Sequence, residues 1–256
     1  MSIMVDIHCH ILPGIDDGAK NMSDSISMAS EAEKEGIRTI IATPHLNNQY
    51  DNRKDLIVAK VDELNHVLKA EGVNVTILPG QEPRIYGDIL EDFEKDEIQT
   101  LNNSNYIFIE FPSNHVPRYT EKLLFDIQVK GLTPIIVHPE RNSELIERPE
   151  LLYKLVEKGA LTQVTASSVC GYFGKKIKSF SMQIIEANLT HFIASDAHNI
   201  HHRSFKMMEA YDFIDVKYGT DYVYLFKENA ELLANGKSVI KEIPFQIIKR
   251  KKFIFF

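Results

Sequence analysis

Apolar residues along this chain follow two alternating patterns. Short runs rich in β-branched and aromatic residues are typical of buried strands, and they are separated by segments whose apolar residues recur every three or four positions, as on one face of a helix. Each run is followed by such a helical segment, so the pattern repeats as a strand–helix unit. We predict strands at residues 4–8, 38–43, 73–78, 106–111, 134–138, 162–165 and 190–195.

The helical segments have recognisable ends. The first helix is expected to begin near Ser23–Asp24, which are good N-cap residues, and to stop at Gly36. Three further helices are expected to stop at glycines, because glycine readily adopts the left-handed conformation of a C-terminal cap. These glycines are Gly72 after 57–68, Gly131 after 119–130 and Gly159 after 152–156.

Strand–helix units in regular alternation predict a parallel sheet covered by helices. Their number and spacing favour a closed or nearly closed (β/α)7 barrel over an open sheet, and no linker or repeat divides the chain. We therefore expect residues 1–256 to form a single α/β domain, with residues 245–256 as a basic and apolar C-terminal tail. In such a barrel the functional side chains lie at the carboxyl ends of the strands.

Composition and charge narrow the classes of function. The 256 residues are 44% hydrophobic and 25% charged, an ordinary globular composition, and the formal net charge of −7 argues against a duplex-DNA-binding protein. Two cysteines imply no disulfide framework, and neither a signal peptide nor a membrane span is recognisable. We expect a cytoplasmic protein.

Polar residues of a particular kind follow almost every predicted strand. His8 and His10 end the first strand two positions apart, so both side chains point to the same side of it. Only the sixth strand lacks an obvious metal ligand. The groups that follow the others are Asp16-Asp17 in the first turn, His45, Glu82, Glu110, His138-Pro139-Glu140-Arg141 and Asp196-Ala197-His198.

So many carboxylates and imidazoles at one rim would be costly to bury unless cations compensated their charge. About nine groups exceed the roughly four to six ligands of one ion, so two or three divalent ions are expected, bridged by Asp17, Glu82 or Glu110. Nitrogen and oxygen ligands without thiolate favour manganese, iron or zinc over calcium. Cys9 lies between His8 and His10 in the strand, so its side chain points to the opposite face. We therefore interpret it as a small buried hydrophobic residue.

In this order the motifs resemble the polymerase and histidinol phosphatase (PHP) family. The closest resemblance is to its bacterial manganese-dependent protein-tyrosine phosphatases of capsule and exopolysaccharide operons, and it extends over nearly the whole chain. The motifs that carry it are Asp6-Ile7-His8-Cys9-His10, Asp16-Asp17-Gly18, Ala42-Thr43-Pro44-His45, Pro79-Gly80-Gln81-Glu82, Ile109-Glu110-Phe111-Pro112, His115-Val116-Pro117-Arg118-Tyr119, His138-Pro139-Glu140-Arg141 and Ser195-Asp196-Ala197-His198.

The resemblance implies a distorted TIM-like (β/α)7 barrel with a trinuclear site. Manganese (Mn2+) is the metal it favours, in two or three ions, with iron, magnesium, cobalt or zinc as alternatives. It also implies hydrolysis of phosphotyrosine on a bacterial tyrosine kinase, regulating capsular or exopolysaccharide synthesis, with metal-activated hydroxide attacking phosphorus. The metal ligands it implies are His8, His10, Asp17, His45, Glu82, Glu110, His138, Asp196 and His198.

Two arginines are candidates for holding the phosphoryl group. Arg141 follows His138 by three residues and Arg203 follows His198 by five, and the guanidinium fork matches the geometry of phosphate. The similar phosphatases have arginines at these positions, which implies the same role here. The alternative for each is a surface salt bridge, and Arg84 is a weaker candidate for phosphate binding.

The resemblance also implies a partner. This is the phosphorylated, tyrosine-rich C-terminal tail of a membrane-associated bacterial tyrosine kinase, and no nucleic acid is expected. The loop 111–119 either lines a groove for such a tail or is a rigid, proline-braced connection. Residues 247–256 combine a basic cluster with apolar residues, which suits contact with an anionic membrane surface, packing on the body or a poorly ordered terminus. The expected location is cytoplasmic, with recruitment to the inner face of the membrane as an option.

Other functions are compatible with parts of the pattern. A histidinol-phosphate or other small-molecule phosphatase of the same family would use the same chemistry at phosphorus. An acidic, stand-alone chain is unusual for a polymerase-associated nuclease, and no strand end supplies the lysine typical of amidohydrolases. A non-catalytic phosphotyrosine-binding regulator of capsule assembly would be expected to lose some ligands, whereas all of them are present.

Overall fold

The computed structural model describes residues 4–248, which form a mixed α/β structure. Strands and helices alternate along these residues, as the sequence pattern predicts. The strands are β1 Met4–Cys9, β2 Ile37–Ala42, β3 His45–Leu46, β4 Thr76–Pro79, β5 Glu82–Pro83, β6 Tyr106–Ile109, β7 Thr133–Val137, β8 Leu161–Thr165 and β9 Phe192–Ala194.

Helices fill most of the connections between the strands. Two short 3₁₀ helices, Leu101–Asn103 and Pro139–Arg141, lie just before β6 and just after β7. The α-helices are α1 Met22–Lys34, α2 Lys54–Ala70, α3 Ile89–Glu94, α4 Thr120–Val129, α5 Ser143–Glu147, α6 Pro149–Glu157, α7 Ala166–Cys170, α8 Lys175–Glu186, α9 Met207–Tyr218 and α10 Thr220–Ala234.

The strands pair in parallel and follow one another around a ring. They form three sheets, with the orders β1-β2-β4, β3-β5 and β6-β7-β8-β9. A bridge between Cys9 and Ala197 joins the ends of β1 and β9, and a bridge between Arg84 and Glu110 joins the ends of β5 and β6. Strand β5 follows β4 almost immediately in the chain. The two bridges therefore connect the strand order from β1 through β9 back to β1. The TIM-like fold class is confirmed, and its distortion lies in the short bridges between sheets.

The strand cores are buried on both sides, as expected for parallel strands covered by helices. All six residues of β1 and all four of β6 are buried. Near the carboxyl ends, the ring of Phe108 in β6 packs 5.1 Å from the ring of His8, measured between centroids. An apolar floor therefore lies directly beneath the first of the predicted ligands.

The structure corrects several predicted boundaries. The strand predicted at 73–78 begins only at Thr76, because the Val73 amide still bonds to the Leu68 carbonyl of α2 at 3.0 Å. Asn21, not Ser23 or Asp24, is the N-cap of α1, and its side chain accepts a bond from the Asp24 amide. Strands β3 and β5 are each two residues long, which is too short to produce a recognisable apolar run, so the sequence pattern does not predict them.

Residues 4–248 include no helix with both the length and the apolarity that crossing a lipid bilayer requires. Residues 249–256, which make up most of the predicted C-terminal tail, lie outside the described residues. The part of the tail that is described, 245–248, has no regular secondary structure.

Candidate metal centre

The nine side chains predicted as metal ligands all lie at the carboxyl end of the strand ring. The pairing of β3 with β5 places His45 directly opposite Glu82, and the Asp196 amide bonds to the His8 carbonyl at 2.8 Å. Most of the nine are buried, and Asp17 is the most exposed, with 46% of its side-chain surface accessible. Parallel strands that end at one edge thus bring together residues that are up to 190 positions apart, as from His8 to His198.

Seven of these side chains form three overlapping groups. Within each group, the potential ligand atoms all lie within 4.8 Å of one another. His10, His45 and Glu82 each belong to two groups, so the groups are adjacent and share residues. The three groups, found among the described residues, are His10 with Asp17, His45 and His198; His8 with His10 and Glu82; and His45 with Glu82 and Glu110.

Glu82 is the centre of this arrangement. Its Oε2 lies 2.9 Å from His45 Nδ1, 3.3 Å from His10 Nε2 and 3.4 Å from His8 Nε2. Its Oε1 lies 2.8 Å from His138 Nε2. One carboxylate therefore contacts four imidazoles from three different strand ends.

His138 and Asp196 complete the cluster from the other side. Asp196 Oδ1 lies 3.3 Å from His10 Nε2 and 3.5 Å from His8 Nε2. Both residues have left-handed backbones, with φ of +35° at His138 and +51° at Asp196. Non-glycine residues adopt this conformation at an energetic cost, and such strain tends to occur at functional sites.

Several buried polar atoms of the cluster lack a hydrogen bond. They include His45 Nδ1 and Glu82 Oε2, which are 2.9 Å apart but misaligned, and His198 Nε2. In addition, His8 Nε2 and His10 Nε2 face each other at 3.3 Å. Buried polar atoms without partners are costly, and bound cations would give these atoms partners. Histidine nitrogens with carboxylate oxygens and no thiolate fit a divalent transition metal.

Other side chains orient the histidines. Asp16 Oδ2 lies 2.7 Å from His10 Nδ1, and Gln163 Oε1 lies 2.9 Å from His8 Nδ1, so the ε-nitrogens face the centre of the cluster. Such partners fix the tautomer and orientation of metal-binding histidines. The sequence pattern alone predicts this orienting role for neither Asp16 nor Gln163. Two features of the sequence could have indicated it: Asp16 is an acid next to Asp17, and Gln163 is a polar residue inside the sixth predicted strand.

Burial and neighbouring charges shift the pKa values within the cluster. Burial lowers the pKa of His138 to about 3 and that of His198 to about 4, with Arg141 and His10 acting in the same direction. Burial and the adjacent Glu82 raise the pKa of Glu110 to about 7. His138 and His198 are thus neutral at pH 7, the form in which imidazole binds metal.

Both predicted phosphate-binding arginines reach the cluster. Arg141 Nη1 lies 2.7 Å from Asp196 Oδ2, and Arg203 Nη2 lies 2.9 Å from the same oxygen. With Glu110 and His138 they line a cavity of about 270 Å³. Each forms a salt bridge, but with a predicted metal ligand and not with a remote surface group.

Arg84, the weaker candidate, also pairs with a predicted metal ligand. Its Nε and Nη2 donate to the two carboxylate oxygens of Glu110 at 2.8 and 3.1 Å. Cys9 is fully buried, which confirms its interpretation as a small core residue. Arg84 therefore borders the cluster through Glu110, whereas Cys9 belongs to the core.

Comparison with known proteins places this geometry in a family. The family model described as "Capsular polysaccharide synthesis, CpsB/CapC" matches residues 4–235. The chain belongs to the CpsB/CapC family. The resemblance to the phosphatases of capsule operons is thereby confirmed, and the placement in the PHP family is consistent with it.

Curated members of the CpsB/CapC family match over most or all of their length. The chain is 50% identical to the tyrosine-protein phosphatase YwqE of Bacillus subtilis (strain 168), over 99% of this chain and 100% of YwqE. It is 39% identical to the putative tyrosine-protein phosphatase CapC of Staphylococcus aureus, over 98% of each chain. It is 34% identical to the tyrosine-protein phosphatase CpsB of Streptococcus pneumoniae, over 84% of this chain and 91% of CpsB.

Solved structures agree with the family and with the fold. One match comes from crystal structures of YwqE from Bacillus subtilis and CpsB from Streptococcus pneumoniae, described as unique metal-dependent tyrosine phosphatases. It has a TM-score of 0.94 and 50% identity, and covers 96% of this chain and 100% of that chain. A phosphotriesterase homology protein from Escherichia coli matches with a TM-score of 0.58 at 10% identity, covering 90% and 98%, which shows a shared fold alone.

Proposed function

We propose that this CpsB/CapC protein is a metal-dependent protein-tyrosine phosphatase that acts in capsular or exopolysaccharide synthesis. The observation that carries the proposal is a small cavity lined by four of the nine donor side chains, His45, Glu110, His138 and Asp196, and by both arginines. The chain is also half identical, end to end, to a tyrosine-protein phosphatase.

The nine donors would hold two or three divalent ions, for which we propose Mn2+, with iron, magnesium, cobalt or zinc as alternatives. Glu82 is the bridging ligand we favour over Asp17 and Glu110, because it alone contacts four of the histidines. Bound divalent cations stabilise developing negative charge and lower the pKa of water, which makes hydroxide available near neutral pH.

The protein's own groups then bind and orient the substrate. Arg141 and Arg203 neutralise the equatorial oxygens of the phosphoryl group as charge develops on them. Phenolate is a good leaving group, with a pKa of about 10. Tyrosine phosphate therefore needs a strong general acid less than an alkyl phosphate does.

The same site supports a choice of partner. We propose that the substrate is the phosphorylated, tyrosine-rich C-terminal tail of a membrane-associated bacterial tyrosine kinase. The cavity opens next to Phe111 and Ser113, at the start of the loop 111–119. A flexible tail can reach such an opening without a deep groove.

A turnover assay tests the proposal. The chain would be stripped with chelator, given manganese, magnesium or zinc in turn, and assayed with a phosphotyrosine peptide beside phosphoserine and histidinol phosphate. Metal-restored turnover that prefers the phosphotyrosine peptide is the expected result. A preference for histidinol phosphate would move the function to small-molecule metabolism, and no turnover with any metal would favour a binding regulator.

We also propose that the C-terminal segment touches an anionic membrane surface. Ile243, Phe245 and Ile248 are 75%, 58% and 86% exposed, and the residues that follow them are basic and then apolar in sequence. Basic residues beside apolar ones favour binding to anionic lipid. Vesicle sedimentation with phosphatidylserine, comparing the full chain with one ending at Gln246, should show weaker binding of the shorter chain; equal binding would reject the idea.

A further inference from the structure

The guanidinium of Arg141 lies between an acid and an aromatic ring. Its Nη1 is 2.7 Å from Asp196 Oδ2, and its Cζ is 5.6 Å from the centre of the Phe173 ring. A cation above the face of an aromatic ring is attracted to it, and more strongly when both are partly desolvated. The Arg141 side chain is only 22% exposed, so the contact is shielded from water.

Phe173 is placed by a sharply turned loop between α7 and α8. Gly171 and Gly174 both have positive φ, of +97° and +93°, so the chain bends on each side of the pair between them. The Tyr172 hydroxyl lies 3.0 Å from Glu209 Oε2 on α9. The loop is therefore anchored to α9 by one aromatic residue, while the next one contacts Arg141.

The acid alone does not fix the direction of Arg141 during the reaction. Asp196 Oδ2 also accepts Arg203, and Asp196 Oδ1 faces His8 and His10. Once Asp196 shares its charge with cations and Arg141 turns to a phosphoryl group, this salt bridge weakens. The Phe173 contact is uncharged, so it competes neither for the cations nor for the phosphate.

We propose that Phe173 is a positioning residue that keeps the Arg141 guanidinium directed at the phosphate-binding cavity. The proposal rests on the proposed function, because it assumes that Arg141 binds the phosphoryl group. It extends that function to a loop that contributes no predicted metal ligand. The loss of the ring should weaken phosphate binding without removing any ligand from the metal cluster.

The test measures binding of inorganic phosphate by calorimetry to the metal-loaded protein, with KM and kcat for a phosphotyrosine peptide beside it. Phe173→Leu should weaken phosphate binding by about threefold to tenfold and raise KM to a similar extent. Phe173→Tyr keeps the ring and should behave as the wild type. Phe173→Met is a second ring-free variant, for use if the leucine variant folds poorly.

Two controls separate positioning from a general structural effect. Phe125→Leu makes the same substitution at an exposed position on α4 and should leave phosphate binding unchanged. In an Arg141→Ala background, Phe173→Leu should have no further effect on phosphate binding, because the group that it positions is gone. A decrease of the same size in that background, or unchanged phosphate binding by both ring-free variants, would overturn the proposal.

The assay also distinguishes the failure of this inference from that of the proposed function. If the wild type bound phosphate but hydrolysed no phosphomonoester, the proposed function would fail while the binding arm still tested Phe173. If the wild type hydrolysed phosphotyrosine and the ring-free variants matched it in every parameter, only the role of Phe173 would fail.

Discussion

Asp196 connects the two halves of the site at the level of one residue. Its Oδ1 faces the imidazoles of His8 and His10, whereas its Oδ2 accepts Arg141 and Arg203. A single carboxylate thus lies between the metal cluster and the groups expected to hold phosphate. Substitutions on the arginine side should affect the substrate without releasing metal.

Replacing Arg203 with alanine tests this separation. A charged hydrogen bond to the phosphoryl group contributes about 1.5–3 kcal/mol, so kcat/KM for a phosphotyrosine peptide should fall about tenfold to a hundredfold. The metal content, measured by inductively coupled plasma mass spectrometry, should equal that of the wild type. Arg148→Ala removes an exposed arginine paired with Glu144 and serves as the control, with activity expected to match the wild type.

The orientation of His10 leads to a prediction about metal affinity. Asp16→Asn weakens the partner of His10 Nδ1, and loss of such a partner costs about 10- to 100-fold in metal affinity. Isothermal titration calorimetry with manganese should show this decrease in metal affinity. Asp62→Asn, at an exposed position on α2, should leave the affinity unchanged; an equal effect of both substitutions would contradict a specific role for Asp16.

At the level of elements, the turn after β1 has room for glycine alone at position 18. A Cβ atom on Gly18 would lie 2.0 Å from the carbonyl oxygen of His10 and 2.5 Å from its Cβ. The turn carries Asp16 and Asp17, so this close approach sets where both carboxylates meet the histidines. Backbone contact of this kind cannot relax by a change of rotamer.

Gly18→Ala should therefore displace the turn. We expect a lower melting temperature and weaker manganese binding, because the Asp17 carboxylate moves away from His45 and His198. Gly87→Ala is the matched control, since no atom lies within 4 Å of a Cβ there. Thermal unfolding and metal titration of both variants would check this, and a Gly18→Ala protein equal to the Gly87→Ala protein would refute it.

A histidine directly before β9 should make stability depend on pH. His191 is buried, its Nδ1 accepts the Thr162 amide at 3.2 Å, and burial, together with Lys241, lowers its pKa to about 3. The unfolded chain takes up a proton below about pH 6.5 that the folded chain refuses. Stability is therefore lost as the pH falls from 6.5 towards 3.

The size of this effect is measurable in a variant. Protonation of His191 in the unfolded chain should lower the free energy of unfolding by about 2 kcal/mol at pH 5 and by almost nothing at pH 8. His191→Asn keeps an acceptor near the Thr162 amide but cannot titrate. Denaturant unfolding should show the wild type losing about 2 kcal/mol more than this variant between pH 8 and pH 5; parallel losses would exclude His191 as the cause.

The elements and the site differ in how far the sequence predicts them. Strand positions and ligand positions follow from the pattern because parallel strands end at one edge, so residues after each strand converge. The roles of Gln163 and Phe173 do not follow from it, because they depend on which side chain a distant element brings alongside. The left-handed backbone conformations of His138 and Asp196 are also not predictable from the sequence, since nothing local in it requires them.

At the scale of the whole molecule, the cluster should link metal binding to folding. Its donors belong to the ends of six strands, and the unfolded chain cannot assemble them, so metal stabilises the folded state by mass action. Free metal at about a hundred times the dissociation constant should add about 2.7 kcal/mol. Calorimetric unfolding with and without manganese should show one transition that moves to higher temperature.

Glu82→Gln is the informative comparison, because it weakens the carboxylate shared by two of the ligand groups. Its melting temperature should respond less to manganese than that of the wild type. Two separate transitions would contradict the prediction of a single domain over residues 1–256. An unchanged melting temperature in the presence of bound metal would contradict the link to folding.

The bridge between Cys9 and Ala197 has a consequence for the protein's synthesis. Among the described strands, β1 leaves the ribosome before the others; it gains its neighbour β2 within 40 residues but must wait for β9 on its other side. A nascent chain that ends before residue 196 holds His8 and His10 with Glu82 but without Asp196, the second carboxylate that faces them. The complete cluster therefore forms late in biogenesis, and a prematurely released chain should be inactive even when most of its ligands have been translated.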